Sequence, residues 1–189
     1  MYKFFAFLDR MKYINRWSLM HSTKTENIAE HSAQVAHIAH ALATISNLYF
    51  DGKVDANSVA VKALFHETSE VLTGDLPTPI KYFNPAISSA YKDLEAQSNQ
   101  KLLSHLPVEM QKVYTPILMT KDEEYKFVKY ADKISALIKC IDELKLSNKE
   151  FAKAQQSILA EIKAFKSPEV DYFMDNFVSA YRLSLDELD

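Results

Sequence analysis

Cysteine, glycine and long apolar runs are what this sequence has least of. A single cysteine, Cys140, among 189 residues excludes an internal disulfide framework and a thiolate-rich zinc centre. Two glycines are too few for a many-stranded β protein, whose turns lean on glycine at positive φ. No run approaches the roughly 18 apolar residues of a membrane span. The apolar stretch Phe4-Phe5-Ala6-Phe7-Leu8 is too short for a secretory signal core and has no small-residue cleavage site after it. The expectation is a cytoplasmic protein with a reduced thiol. A formal net charge of −3 argues against a broad basic face for a nucleic-acid polymer, yet leaves room for a local anion pocket.

What is present is ordinary for a globular protein: 48% hydrophobic and 25% charged residues, in a chain of a length that buries roughly 70% of its unfolded surface. There is no repeat, linker or low-complexity segment, so residues 1–189 are expected to form one domain. Periodicity predicts an all-α fold. Asn27 and Glu30 read as an N-x-x-E capping box, followed by His31, Val35, Ile38, Leu42 and Ile45 on one helical stripe. After Asp55, a second helix places Val59, Ala63, His66 and Glu70 on a stripe with Glu67 adjoining, and Gly74 ends it. Asn84-Pro85 opens a third helix to about Leu106, and a short piece spans Met110 to Leu118. Thr120 to Glu123 reads as a second capping box, opening a helix with Val128, Asp132, Ser135, Ile138 and Asp142 on its inner face. Two helices follow, over about 148–165 and 168–180.

His31, His66, Glu67, Glu70 and Asp132 are polar residues on faces that otherwise read as core. A buried carboxylate is costly unless paired or bound to a metal. Such groups on three predicted helices point to convergence. Two imidazoles and two carboxylates form a nitrogen/oxygen donor set for a divalent ion, with positions left open for catalysis. His66-Glu67-Thr68-Ser69-Glu70 is not the H-E-x-x-H of zinc proteases, because the second histidine is missing.

The order His31, His66-Glu67, Asp132 resembles the H…HD…D signature of HD-domain metal-dependent phosphohydrolases. The segments Ile14-Asn15-Arg16-Trp17, Glu26 to Ser32, Ser69 to Phe83 and Asp171 to Met174 resemble the bacterial 5′-deoxynucleotidases of the YfbR type. That resemblance implies a helical homodimer that hydrolyses deoxyribonucleoside 5′-monophosphates, with one divalent ion (Co, Mn, Zn, Ni, Fe or Mg, not distinguished by the donor set). It implies metal ligands His31, His66, Glu67 and Asp132. It assigns the phosphate to Arg16, the sugar side to Trp17 and Asp75, the pocket lining to Thr78, and acid/base work to Glu70. His31 and Asp132 would also border the substrate.

One residue departs from the pattern: Glu67 stands where the family has Asp. The carboxylate lies one methylene further out, and metal sites tolerate only about 0.2 Å in ligand distance. This leaves three outcomes open: a normal site after a small helix shift, a displaced ion with altered metal preference, or a nucleotide-binding module without strong catalysis. An HD hydrolase of another nucleotide or small phosphate ester is the remaining alternative.

Overall fold

Side-chain caps open several of the long helices, and they are where the sequence placed them. In the computed structural model, which describes residues 1–189, Asn27 Oδ1 accepts from the backbone N–H groups of Ala29 (3.1 Å) and Glu30 (3.0 Å) to start α2 (Ile28–Tyr49). It precedes α3 (Ala56–Leu64), capped by Asp55, and follows α1 (Phe4–Leu8) and a 3-10 turn at Asp9–Tyr13. Two single-turn helices come next, α4 (Glu70–Thr73) and α5 (Thr78–Lys81). Asn84 caps α6 (Pro85–Leu103), with Pro85 at the first helical position where a missing N–H costs nothing. The rest is α7 (Val108–Met119), α8 (Tyr125–Lys145), a 3-10 turn at Lys149–Phe151, α9 (Ala152–Ala164) and α10 (Pro168–Asn176), then 3-10 turns at Val178–Arg182 and Leu185–Glu187. There is no strand; one isolated antiparallel bridge joins Asn15 and Asn27. The all-α expectation holds, and no helix is long and apolar enough to cross a membrane.

Four details differ from the sequence reading. At the start of α2 Asn27 caps as expected, but the Glu30 side chain returns no bond to Asn27 N, so the capping box is only half formed. The helix expected to run from Asp55 to Gly74 is interrupted: α3 ends at Leu64, and 65–69 form tight turns. His66 N bonds Ala63 O and Thr68 N bonds Phe65 O, a three-residue spacing in place of four. The His66 ring also donates from Nδ1 to Ala63 O (2.6 Å), competing for a carbonyl the helix would use. The box at Thr120–Glu123 does not form; Asp122 instead accepts from Tyr125 N (3.2 Å), and α8 begins later. Asp142 is exposed, and its neighbour Glu143 is the buried acid of that turn, 1% exposed.

The large core is built from α2, α3, α8, α9 and α10, with Ile38, Leu42, Val59, Ile134, Ile138 and Val170 almost fully buried. α2 packs on α3 and α8, and α9 on the far side of α8. A smaller cluster of Phe4, Leu102, Leu103, Leu106 and Leu118 lies under the first helix, and Phe65 and Val71 pack against it. The 65–71 segment therefore sits where the small cluster meets the α2–α8 core, and the polar residues it carries face that seam.

Candidate metal centre and adjoining cleft

His31 lies in the first turn of α2, Asp132 on α8, and His66-Glu67 on the tight turn between α3 and α4. One donor atom from each of these four residues falls within 4.8 Å of the others. Asp132 Oδ1 is 3.0 Å from His31 Nε2, and Glu67 Oε1 is 3.2 Å from His66 Nε2 and 4.0 Å from His31 Nε2. The extra methylene of Glu67 thus still delivers its carboxylate to the cluster.

Both histidines have one nitrogen fixed from behind. His31 Nδ1 lies 3.0 Å from Ser135 Oγ, whose hydroxyl donates to Gln34 Oε1 (2.6 Å). That hydroxyl proton being used, Nδ1 is the donor and Nε2 faces the cluster. His66 Nδ1 is committed to Ala63 O, and its Nε2 is buried without a hydrogen-bond partner. Metal-ligating histidines are oriented in this manner, through the ring nitrogen that does not ligate. An orphaned imidazole nitrogen beside two carboxylates fits a divalent cation by donor chemistry and by charge.

The charges agree. Burial opposes ionisation of Glu67 and Asp132, but His66 and Arg16 hold Glu67, and His31 and Arg16 hold Asp132, well below the usual carboxylate range. His31 is raised against the effect of its burial by Asp132 and Glu26, as expected where negative charge exceeds positive. Glu70 is 3% exposed, with Oε2 buried and unpartnered; burial and then the Glu67 charge push its carboxyl up to about 11. It holds a proton at neutral pH.

Arg16 and Trp17 lie on the loop before α2. Arg16 Nη1 is 3.5 Å from Glu67 Oε1, Nη2 is 3.9 Å from Asp132 Oδ1, and Nε is 3.5 Å from Glu26 Oε2. Trp17 has φ 61°, a left-handed conformation rare for a bulky residue, of the kind that costs about 1–3 kcal/mol and concentrates at functional sites. Its ring packs on Phe151 (5.3 Å between centroids), and its Nε1–H donates to Glu26 Oε2 (2.7 Å). Arg16, Trp17, Asp75, Thr78 and Asp132 line one cleft of about 390 Å³, closed opposite by Ala154 and Ile158 of α9. Its size falls within the range of small-molecule sites. Asp75 is half-buried, its carboxyl raised by burial; Thr78 is exposed at the start of α5. A larger depression of about 460 Å³, lined by Lys24, Lys139 and Asp142, lies behind the loop and contains none of the four donor residues. The smaller cleft is the one that Asp132 of the donor cluster borders.

All nine residues singled out in the sequence converge on this centre and cleft. Sequence reasoning missed Glu26, Gln34 and Ser135. Glu26 belongs to one of the segments that carried the family resemblance, and Ser135 to the inward stripe of α8, but the contact of Glu26 with Trp17 spans nine positions and those of Ser135 with His31 and Gln34 more than a hundred, which leaves no local pattern.

The profile of the YfbR-like 5′-deoxynucleotidase family matches residues 3–181. The chain is 51% identical over 188 residues to a 5′-deoxynucleotidase of Vibrio vulnificus, covering 98% of this chain and 97% of that one. It is 49% identical to 5′-deoxynucleotidase YfbR of Escherichia coli O1:K1, with 98% and 94% covered. In structure it resembles an HD-domain phosphohydrolase from Listeria innocua (TM-score 0.83, 24% identity, 95% and 88% covered). It also resembles the cyanophage S-2L HD phosphohydrolase DatZ, bound to dA and one catalytic Zn²⁺ (TM-score 0.69, 19% identity, 92% and 95% covered).

Proposed function

Because this chain belongs to the YfbR-like 5′-deoxynucleotidase family, we propose how its own residues divide the work of that reaction. The protein is a metal-dependent phosphomonoesterase that hydrolyses deoxyribonucleoside 5′-monophosphates to deoxyribonucleosides and phosphate. The observation that carries the assignment of residues is the convergence of His31, His66, Glu67 and Asp132, with His66 Nε2 left unpartnered.

Those four residues would hold one divalent ion. Such an ion supplies Lewis-acid polarisation of a phosphoryl oxygen and a lowered pKa for water. Arg16 binds the phosphate: its forked guanidinium matches two oxygens and offsets their charge as the P–O bond breaks. Glu70, holding its proton in a buried site, manages proton transfer toward the departing 5′-oxygen, a contribution of about 10²–10⁴-fold when geometry allows. Trp17 walls the sugar side and Asp75 hydrogen-bonds the sugar. A ribose 2′-hydroxyl would meet an indole face and lose its hydration without a replacement partner, the costly case of an unsatisfied polar group. Thr78 borders the pocket. The protein is read as a single domain in the cytoplasm and, as the resemblance implies, as a homodimer.

The test is elemental analysis of protein purified without chelator, followed by metal-supplemented assays on deoxy- and ribonucleoside monophosphates. Bound divalent metal and turnover preferring the deoxy series support the reading. Absence of bound metal together with no turnover on cobalt, manganese or other divalent ions sinks it. Glu67→Asp separates full from compromised activity: a large gain in turnover means the longer side chain weakens the wild-type site.

A further inference from the structure

Glu26 has no role in the reading above, yet it touches Arg16 and Trp17, two of the residues assigned to the substrate. One oxygen, Oε2, accepts the Trp17 indole N–H at 2.7 Å and lies 3.5 Å from Arg16 Nε. The other, Oε1, is 3.7 Å from His31 Nδ1. The side chain is 14% exposed, the same as that of Arg16. The backbone closes the unit: Arg16 N donates to Glu26 O (2.9 Å), and Ile28 N donates to Ile14 O (3.0 Å). Residues 16 and 26 are thereby the two ends of a closed loop, whose tip is tied elsewhere through Thr23 and Lys24 to Glu143.

Neither Arg16 nor Trp17 has a helix or strand to fix its rotamer. Trp17 has a left-handed backbone and a single polar atom, and that atom is taken by Glu26. Glu26 also faces the Nε edge of Arg16 as a charge partner, without a hydrogen bond to that buried N–H, and leaves Nη1 and Nη2 toward the metal-ligand carboxylates. We propose that Glu26 is a positioning residue: one carboxylate that sets the phosphate-binding guanidinium and the sugar-side indole in a fixed mutual geometry. The proposal rests on the roles assigned above to Arg16 and Trp17, and the experiment separates the two.

Trp17 is the only tryptophan in the chain, so intrinsic emission of the metal-loaded protein reports its environment directly. Glu26→Ala removes both contacts. Its emission shifts and becomes more quenchable by acrylamide, KM for deoxynucleoside monophosphates rises roughly 10–100-fold, the range for outer-shell partners, and discrimination against ribonucleotides falls to the Trp17→Ala level. Glu26→Gln keeps an amide oxygen for the indole N–H but loses the charge facing Arg16. It keeps wild-type emission and discrimination while KM rises. In the Trp17→Ala background, Glu26→Ala changes discrimination no further, because the effect runs through the indole. Emission, KM and discrimination of Glu26→Ala all within twofold of wild type would overturn the proposal. So would loss of bound metal or of the circular dichroism spectrum in Glu26→Gln, since Glu26 would then be a ligand or a folding residue. If Trp17→Ala retains discrimination while Glu26→Ala still shifts the emission, Trp17's sugar role fails and the hold of Glu26 on Trp17 stands.

Discussion

His31 and Asp132 ride on α2 and α8, two long helices packed together in the large core, whereas His66, Glu67, Arg16 and Trp17 ride on turns and a loop. The helical half needs little beyond periodicity and packing: a residue on the inner stripe of α8 is aimed at α2 by the same geometry that buries Ile134 and Ile138. The irregular half has no such frame, so each piece carries its own polar anchor. His66 is held by Ala63 O, and Trp17 and Arg16 by Glu26. The tip of the 16–26 loop is held by buried Glu143, which accepts from Thr23 N, Thr23 Oγ1, Lys24 N and Asn148 Nδ2 and pairs with Lys139. Helices give a centre its rigidity, and buried carboxylates give its loops theirs.

The comparison can be broken first on the helical side. Asp132→Ala removes a donor without touching the large core, so the fold survives while kcat/KM falls by about 10³-fold or more. Metal content and thermal unfolding, measured together, check this. A variant that keeps its metal would remove Asp132 from the ligand set.

On the loop side, Glu143→Ala takes the only carboxylate from buried Lys139, which keeps just its bond to Lys24 O, and the broken pair costs about 3–5 kcal/mol. Hydrogen exchange then rises over 16–26, while metal is retained. The effect has a definite pH window. Against burial, Lys139, Thr23 and Asn148 hold the Glu143 carboxyl well below its ordinary range. The stability it contributes is therefore complete above the unfolded carboxylate value of about 4.3. It disappears as pH falls through the lower folded value, and the gap between wild type and variant closes in acid. Chemical denaturation at a series of pH values measures that closure; a gap constant down to the acid transition contradicts it.

The smallest effect sharpens the boundary between the halves. Gly74 stands at φ 73°, ψ 166°, a region nearly reserved for glycine, and a Cβ built there meets no heavy atom within 4 Å. Gly74→Ala therefore costs only backbone strain, about 1–3 kcal/mol. It re-aims Asp75 while leaving His66 and Glu67 in place, so KM moves more than kcat. Equal losses in both would mean that the turn and the Asp75 loop act as one unit.

How much was legible in the sequence follows the same division. The start of α2 could be read because Asn27 is a local cap, and the order of donor residues because the family motif preserves it. The break at 65–69 could not, because stripe spacing alone continues a helix through His66 and Glu70. What stops it is a side chain bonding a backbone carbonyl, a choice that tertiary packing on Phe65 and Val71 decides. The stripe of α8 was assigned to Asp142 where Glu143 is buried, since two adjacent acids look alike until loop 16–26 is seen to cover one of them. Glu26 and Ser135 act across 9 and 104 positions in sequence, beyond any local pattern.

Cys140, whose solitude excluded a thiolate site, has a practical consequence of its own. It is fully buried on α8, and its thiol is pushed up to about 12, first by burial and then by Glu26. A protonated, inaccessible sulfur does not react with alkylating reagents in the native state. Modification must await an opening of the helix that also carries Asp132. With excess reagent, the labelling rate of this one atom becomes a clock for that opening. Adding metal to the reaction would slow the clock by the extent to which the ion holds α2, α8 and the 65–69 turn together.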